Sequence, residues 1–102
     1  MVGGVPVFWS LGNFISGMGV PGTGRYEDRR TLDGLLAAVR FDEQADGTFA
    51  VEARPVAVCT DPVSRMVRHA VTASVDPGLS PAERQRAADC LARTRAVVPQ
   101  AE

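Results

Sequence analysis

Two segments decide the fold class of this chain: Leu35-Leu-Ala-Ala-Val-Arg-Phe-Asp42 and Thr48-Phe-Ala-Val-Glu-Ala-Arg-Pro-Val-Ala-Val58. Both segments contain β-branched and aromatic residues and carry apolar side chains at alternating positions, which is the pattern of a half-buried strand. The Asp46-Gly47 pair between them is a turn signal. The sequence therefore predicts an antiparallel hairpin formed by residues 35–42 and 48–58.

The apolar positions also predict how these two strands pair. A two-residue Asp-Gly turn places Phe41 opposite Glu52, whereas a five-residue loop over 43–47 places Phe41 opposite Phe49. The second register collects the apolar side chains on one face of the hairpin, so we expect that register. Its apolar pairs are Phe41 with Phe49, Val39 with Val51 and Ala37 with Ala53, and its more polar face carries Arg40, Glu52 and Arg54.

Helices are predicted after the hairpin. Ser80-Pro81-Ala82-Glu83 combines an N-cap serine, a proline at the first helical position and a glutamate at the third. This capping box predicts a helix over 81–96, in which the Ser80 hydroxyl accepts a hydrogen bond from the Glu83 N–H. Asp61-Pro62 predicts a short helix before it. The apolar stripes of the two helices are Val63, Met66, Val67 and Ala70 in the first and Ala87, Leu91, Thr94 and Val98 in the second.

The N-terminal third of the sequence contains a predicted strand and a predicted loop. Val5-Pro-Val-Phe-Trp-Ser-Leu11 is apolar on both faces of a period-2 pattern, which is typical of a strand covered on both sides. Residues 14–34 contain five glycines and one proline without periodicity, so we expect a long loop there. The rest of the chain offers cover for one side of the first strand at best. We therefore expect an exposed apolar surface and self-association through this strand.

Composition and charge exclude several function classes. The net charge is −1 and all eleven basic residues are arginine, interspersed with acidic residues, so no basic patch for nucleic acid or an anionic membrane is indicated. No apolar run approaches the length of a membrane span. The two cysteines, Cys59 and Cys90, define neither a disulfide framework nor a zinc site, and we predict two reduced, unpaired thiols.

The first residues, Met1-Val2-Gly3-Gly4, contain no basic segment of the kind that opens a secretory signal. Because the predicted strand starts at residue 5, we expect a chain whose upstream part is missing. The sequence by itself assigns no cellular location.

The segment Val5–Ser16 resembles a signature of the CapA family, the poly-gamma-glutamate capsule-synthesis proteins, most closely in Ser10-Leu11-Gly12-Asn13-Phe14. Trp9 stands where that family often has tyrosine. A glycine-rich loop and a hairpin follow in the family's order, and Arg54-Pro55-Val56-Ala57-Val58 falls where the second half of the family hairpin ends. The resemblance covers roughly residues 3–60.

The resemblance implies a calcineurin-like metallophosphoesterase architecture. The fold class that we expect is α+β, as the C-terminal portion of an α-β-β-α sandwich with a buried strand, an antiparallel hairpin and a C-terminal helix. Residues 1–60 are then the C-terminal part of a CapA-like domain, and residues 61–102 are a helical C-terminal extension. For relatives, the family suggests the cell envelope or an extracytoplasmic face in bacteria.

Metal chemistry is implied for full-length relatives rather than for this chain. In such folds a pair of divalent metals held by Asp, Asn and His activates water and clamps phosphate oxygens. The family's ligand motifs, a Gly-Asp, an Asn-His and a Gly-His-x-x-His segment, lie upstream of the Ser-Leu-Gly-Asn-Phe strand, and none occurs here. The one histidine, His69, lies in no matching motif. We therefore expect no catalytic residue, no cofactor and no specific divalent-metal site in this chain.

Three residues are candidates for substrate binding: Gly12, Asn13 and Arg25. Gly12 and Asn13 end the predicted first strand, where side chains of layered α/β folds face clefts. The Asn13 amide can bind a substrate or a metal-bound water, or it can satisfy the backbone of its own turn. Arg25 can bind an anionic polymer or a phosphate through two hydrogen bonds, or pair in solvent with a nearby acidic residue such as Glu27.

A second motif in this region, Gly17-Met-Gly-Val-Pro-Gly22, matches the G-x-G-x-x-G pattern of dinucleotide-binding proteins. That function needs a helix directly after the last glycine, and the sequence predicts none there. We therefore do not assign a nucleotide site.

Two hypotheses from different functional classes follow. In the first, the chain is the C-terminal part of a metallophosphatase-like hydrolase that acts in the assembly of a capsule or envelope polymer. In the second, it is a non-catalytic interaction or assembly piece. Its partner is the missing N-terminal part of its own domain or a second copy of the chain.

Overall fold

A computed structural model of the chain describes residues 6–8 and 32–102. The regular elements are β1 (Asp33–Glu43), β2 (Phe49–Thr60), β3 (Val67–His69), α1 (Ala70–Val75) and α2 (Pro81–Val97). The predicted α+β class is confirmed by these strands and helices. The predicted strand over 5–11 and the predicted loop over 14–34 lie largely outside the described residues. At the end of that loop, Asp33 and Gly34 already belong to β1.

The three strands form one antiparallel sheet with β2 in the centre, and the predicted hairpin is its larger part. The predicted register is wrong by two residues. Phe41 lies opposite Val51, and Glu43 lies opposite Phe49. Because a shift of two positions keeps every side chain on its face, the predicted faces are nevertheless those that form, and Arg40 lies opposite Glu52 on the more polar one.

Hydrogen bonds within the hairpin loop explain the shift. The loop has the predicted five residues but spans 44–48 instead of 43–47, and the Gln44 N–H donates to the Thr48 carbonyl at 2.7 Å. The Asp46 carboxylate accepts from the Thr48 hydroxyl at 2.6 Å and from the Thr48 N–H at 2.9 Å. These two bonds lower the pKa of Asp46. Gly47 has a φ of +83°, a conformation that glycine adopts readily.

The predicted short helix at Asp61-Pro62 is wrong, since these residues begin a turn. The Asp61 carboxylate accepts from the Val63 N–H at 2.9 Å, and the Asp61 carbonyl accepts from the Arg65 N–H at 2.9 Å. Arg65 has a φ of +64°, which ends the turn before a helix can propagate. The chain then returns beside β2 as β3, and a helix starts only at Ala70.

The predicted C-terminal helix is confirmed as α2. Ser80 has an extended backbone, and its hydroxyl accepts a hydrogen bond from the Glu83 N–H at 3.2 Å. Pro81 occupies the first turn, where its missing N–H leaves no intrahelical bond unmade.

The core lies between α2 and the base of the hairpin, which is the end remote from the hairpin loop. Its buried members are small, and they are packed against partly buried apolar side chains from the sheet and from α2. The C-terminal tail closes one side, because the Ala57 N–H donates to the Glu102 carbonyl at 2.7 Å and the Glu102 N–H donates to the Pro55 carbonyl at 2.9 Å. The core comprises Ala57, Cys59, Ala70, Cys90 and Ala101, with Leu35, Leu91 and Val98 around them.

The other half of the hairpin carries exposed apolar side chains. Val39, Phe41 and Phe49 lie on the same face of the hairpin as Leu35, which packs against the core. Val39 is 45% exposed, Phe41 65% and Phe49 58%. The described residues therefore cover the apolar face of the hairpin at its base but not near its loop.

Candidate functional site

A disulfide between Cys59 and Cys90 joins the end of β2 to the middle of α2. The prediction of two reduced, unpaired thiols is therefore wrong. The two residues are 31 positions apart in sequence, but the packing of α2 on the sheet brings their Cα atoms to 6.5 Å, which is within the range that a disulfide bridges. Both are buried, with Cys90 only 2% exposed.

Next to the disulfide, Asp33 and Arg93 form a two-bond ion pair. Asp33 begins β1 directly opposite Cys59, and Arg93 follows Cys90 by nearly one turn on α2. The Arg93 Nε donates to Asp33 Oδ2 at 2.8 Å, and its Nη2 donates to Oδ1 at 2.9 Å. The pair fixes the orientation of the carboxylate and, like the disulfide, connects the sheet to α2.

A second ion pair lies on the other side of the disulfide. Asp61 accepts two hydrogen bonds from Arg86 of α2, at 2.9 and 3.1 Å, and a longer one from Arg68 of β3 at 3.4 Å. Burial raises the pKa of the Asp61 carboxyl, but the hydrogen bonds from Arg86 and from the Val63 N–H outweigh burial, and the pKa is lowered overall. The carboxylate is therefore charged at neutral pH and holds both guanidinium groups.

These groups surround a cavity of about 280 Å³ between the end of β2, α1 and the N-terminal half of α2. Part of the cavity wall is formed by Ala70, Ala73 and Ala87. Because alanine side chains are small, they leave this space unfilled. Thr60 also lines it and is 5% exposed, and its hydroxyl has no hydrogen-bond partner among the described residues. Besides these alanines, the cavity wall contains the disulfide, the paired charges and the Thr60 hydroxyl, so it can take a small ligand with both apolar and polar groups.

None of the substrate-binding candidates that the sequence singled out falls on a described residue. The candidates Gly12, Asn13 and Arg25 lie outside the described residues, so their roles stay predictions. His69 ends β3 on the surface, where its Nδ1 lies 2.9 Å from the Thr72 hydroxyl. The cavity residues were missed because their contacts join positions 25 to 60 apart in sequence.

Within the part of the chain that the structure describes, one group of potential metal ligands comes together: Asp33, Cys59 and Cys90. Their nearest ligand atoms lie within 4.8 Å of one another. This set does not fit the two-metal centre that the CapA resemblance implies, because that centre is built from Asp, Asn and His side chains. No reaction step through a metal pair is therefore derived for this chain.

No protein-family model matches the chain, and no curated protein or solved structure matches it either. Among residues 6–8 and 32–102, no helix is both long enough and apolar enough to cross a bilayer.

Proposed function

We propose that this chain is the C-terminal part of a CapA-like domain, in a protein related to the synthesis of poly-gamma-glutamate or another capsule polymer. The support is the sequence Ser10-Leu11-Gly12-Asn13-Phe14, followed by a glycine-rich stretch and a hairpin. Arg54-Pro55-Val56 lies within β2, the strand that the resemblance assigns to this segment. In such a domain the hairpin and α2 belong to a metallophosphatase-like sandwich.

In this proposal the chain itself is not catalytic. It supplies packing surface, and Gly12, Asn13 and Arg25 supply polar contacts to an anionic polymer or phosphate. The divalent metals of the full-length family are held by motifs that this sequence does not contain. The phosphoesterase-like activity of full-length relatives therefore belongs to a longer polypeptide or to an assembly.

The coding DNA directly upstream of the Met1 codon tests the proposal. An in-frame stretch that encodes a Gly-His-x-x-His segment supports a CapA-like domain that continues upstream. In-frame stop codons immediately before Met1 contradict it and leave the second candidate function.

The second candidate is a non-catalytic interaction or assembly piece. One observation favours it: among the described residues, nothing covers Val39, Phe41 and Phe49 near the hairpin loop. Exposed apolar clusters of this kind mark interaction surfaces in soluble proteins. The occupant is the upstream part of the same domain or a second copy of the chain.

The disulfide bears on where the protein works. Disulfides persist in oxidising compartments and are rare in the cytosol. The Cys59–Cys90 bond therefore supports the extracytoplasmic location that the CapA resemblance suggests. Thiol trapping in intact cells tests this: the oxidised form predominates if the protein is exported, and free thiols in the freshly trapped protein contradict it.

A further inference from the structure

The group formed by Asp33, Cys59 and Cys90 is the one cluster of the described residues whose chemistry changes with oxidation state. We propose that reduction of the Cys59–Cys90 disulfide converts this cluster into a three-ligand site for Zn²⁺ or a similar thiolate-binding divalent cation. The ligands are the two thiolates and the Asp33 carboxylate. The site does not rest on the proposed function, since it needs only the fold of the described residues.

The geometry requires little rearrangement. Asp33 and Cys59 face each other across β1 and β2, and Cys90 packs onto them from α2. Their ligand atoms already lie within 4.8 Å of one another. A tetrahedral zinc ion, with Zn–S near 2.3 Å and Zn–O near 2.0–2.2 Å, needs ligand atoms roughly 3.5–4 Å apart. The two sulfurs separate once their bond is broken, and the carboxylate needs to approach by no more than roughly 1 Å.

The charges of the reduced cluster also fit a divalent cation. Two thiolates and one carboxylate carry three negative charges, and the Arg93 guanidinium that holds Asp33 carries one positive charge. The net charge of −2 is neutralised by one divalent ion, so the loaded site avoids an uncompensated buried charge. Each Asp33 oxygen accepts one bond from Arg93 and keeps further lone-pair capacity, so Arg93 can act as the outer partner that orients this ligand.

Three protein ligands leave one position of a tetrahedral zinc ion open. Cys59, Cys90 and Arg93 all line the cavity of about 280 Å³. Water or a small ligand in this cavity therefore lies next to the two cysteine ligands. A site of this type differs from a closed structural zinc site, in which the protein supplies all four ligands.

The redox step is a thiol–disulfide exchange. A dithiol reductant gives up two electrons and two protons and forms its own disulfide, while the Cys59–Cys90 bond is converted into two thiols. Binding of the cation then releases the two thiol protons to solvent. Exchange of the empty site with an oxidised dithiol, which takes up the two electrons and two protons, restores the Cys59–Cys90 disulfide. The same two sulfurs form either the disulfide or the metal site, so the metal and the disulfide exclude each other.

The experiment uses the full chain, reduced with excess dithiothreitol, exchanged anaerobically into reductant-free buffer and titrated with Co²⁺ as a spectroscopic probe. We expect one equivalent to bind, with a thiolate-to-cobalt charge-transfer band and the visible bands of a four-coordinate ion, and Zn²⁺ to displace it. The chain kept in its disulfide form is expected to show neither band. Circular dichroism of the same samples reports whether the fold is retained.

Two variants on the same strand separate a built site from simple binding by cysteine. Asp33→Asn is expected to weaken Co²⁺ binding at least about tenfold, since the loss of an outer-shell partner alone weakens metal sites 10–100-fold. Asp42→Asn, at an exposed aspartate of β1 that pairs with Arg40, is expected to leave it unchanged. Equal affinity in the two variants overturns the proposal, and so does a reduced chain that shows no charge-transfer band. A reduced chain that stays unfolded with metal present overturns it as well.

Discussion

The Cys59–Cys90 bond is the strongest single connection between the sheet and α2. It closes a long loop, and a disulfide of this kind stabilises a small domain by about 2–4 kcal/mol. We predict that Cys90→Ala lowers the free energy of unfolding by about that amount, measured by urea denaturation without reductant. The double variant Cys59→Ala/Cys90→Ala is expected to lose little more, since either substitution alone removes the bond. If the double variant instead loses the sum of the stability losses of the two single variants, that result contradicts a disulfide in the folded chain.

Asp61 connects the sheet to α2 a second time, through its ion pairs with Arg68 and Arg86. The contribution of Asp61 to stability depends on pH. Because its pKa is lowered in the folded chain, it contributes stability at pH values above its unfolded pKa of about 3.9. That contribution is lost as the pH falls through the lowered folded pKa. We predict that Asp61→Asn costs about 2 kcal/mol at pH 7, because Arg86 and Arg68 lose their shared carboxylate.

Urea denaturation from pH 7 down to strongly acidic pH measures this effect. The difference between the natural chain and Asp61→Asn is expected to shrink below about pH 4. The exposed aspartate on α2 provides the control, since Asp89→Asn is expected to change stability by no more than about 0.5 kcal/mol. A difference that stays constant with pH argues against the ion pair.

Among the elements, α2 was the most predictable because its start signal is local. Ser80, Pro81 and Glu83 lie within one turn, and the predicted bond from the Glu83 N–H to the Ser80 hydroxyl forms. We predict that Ser80→Ala lowers the free energy of unfolding by about 1 kcal/mol. Ser80→Asp is expected to lower the free energy of unfolding by much less, because aspartate also caps helices. Unfolding that is equally affected by both substitutions contradicts the cap.

The hairpin allows a direct test of which side chains share a face, because two adjacent leucines face opposite sides of the sheet. Leu35 packs against the core beside Cys59, and Leu36 is 44% exposed on the other face. We predict that Leu35→Ala costs about 1–2 kcal/mol, less than the 2–5 typical of fully buried leucines. Leu36→Ala is expected to stay within about 0.5 kcal/mol. The reverse order of the two losses contradicts the assigned faces.

The limits of sequence-based prediction also follow from the elements. The alternating pattern of the hairpin determines which side chains share a face, but it does not distinguish registers that differ by two residues, and the bonds of Asp46 to Thr48 decide between them. Asp61 resembled a helix cap in sequence, yet its carboxylate is bound by Arg86, 25 positions away. The disulfide and the Asp33–Arg93 pair were likewise missed, because both depend on how α2 docks onto the sheet.

At the scale of the whole molecule, one half of the hairpin is packed and the other is not. Near its base, the sheet is covered by α2, and the C-terminal tail bonds alongside β2. Toward the loop, Val39, Phe41 and Phe49 form an apolar surface that the described residues leave exposed. Both candidate functions use this surface, either as packing against the remainder of a CapA-like domain or as a contact between copies. The chain expressed alone is therefore expected to associate.

Size-exclusion chromatography with light scattering on the isolated, oxidised chain tests this account most directly. We expect oligomers and binding of a hydrophobic dye. We expect Phe41→Ser/Phe49→Ser to reduce both, while the helix and sheet signal in circular dichroism persists. Substitution of Val75 by serine on α1, where the residue is 73% exposed, serves as the control and is expected to leave association unchanged. A monodisperse monomer with cooperative thermal unfolding and no dye binding would show that the chain is complete by itself, and would contradict the account.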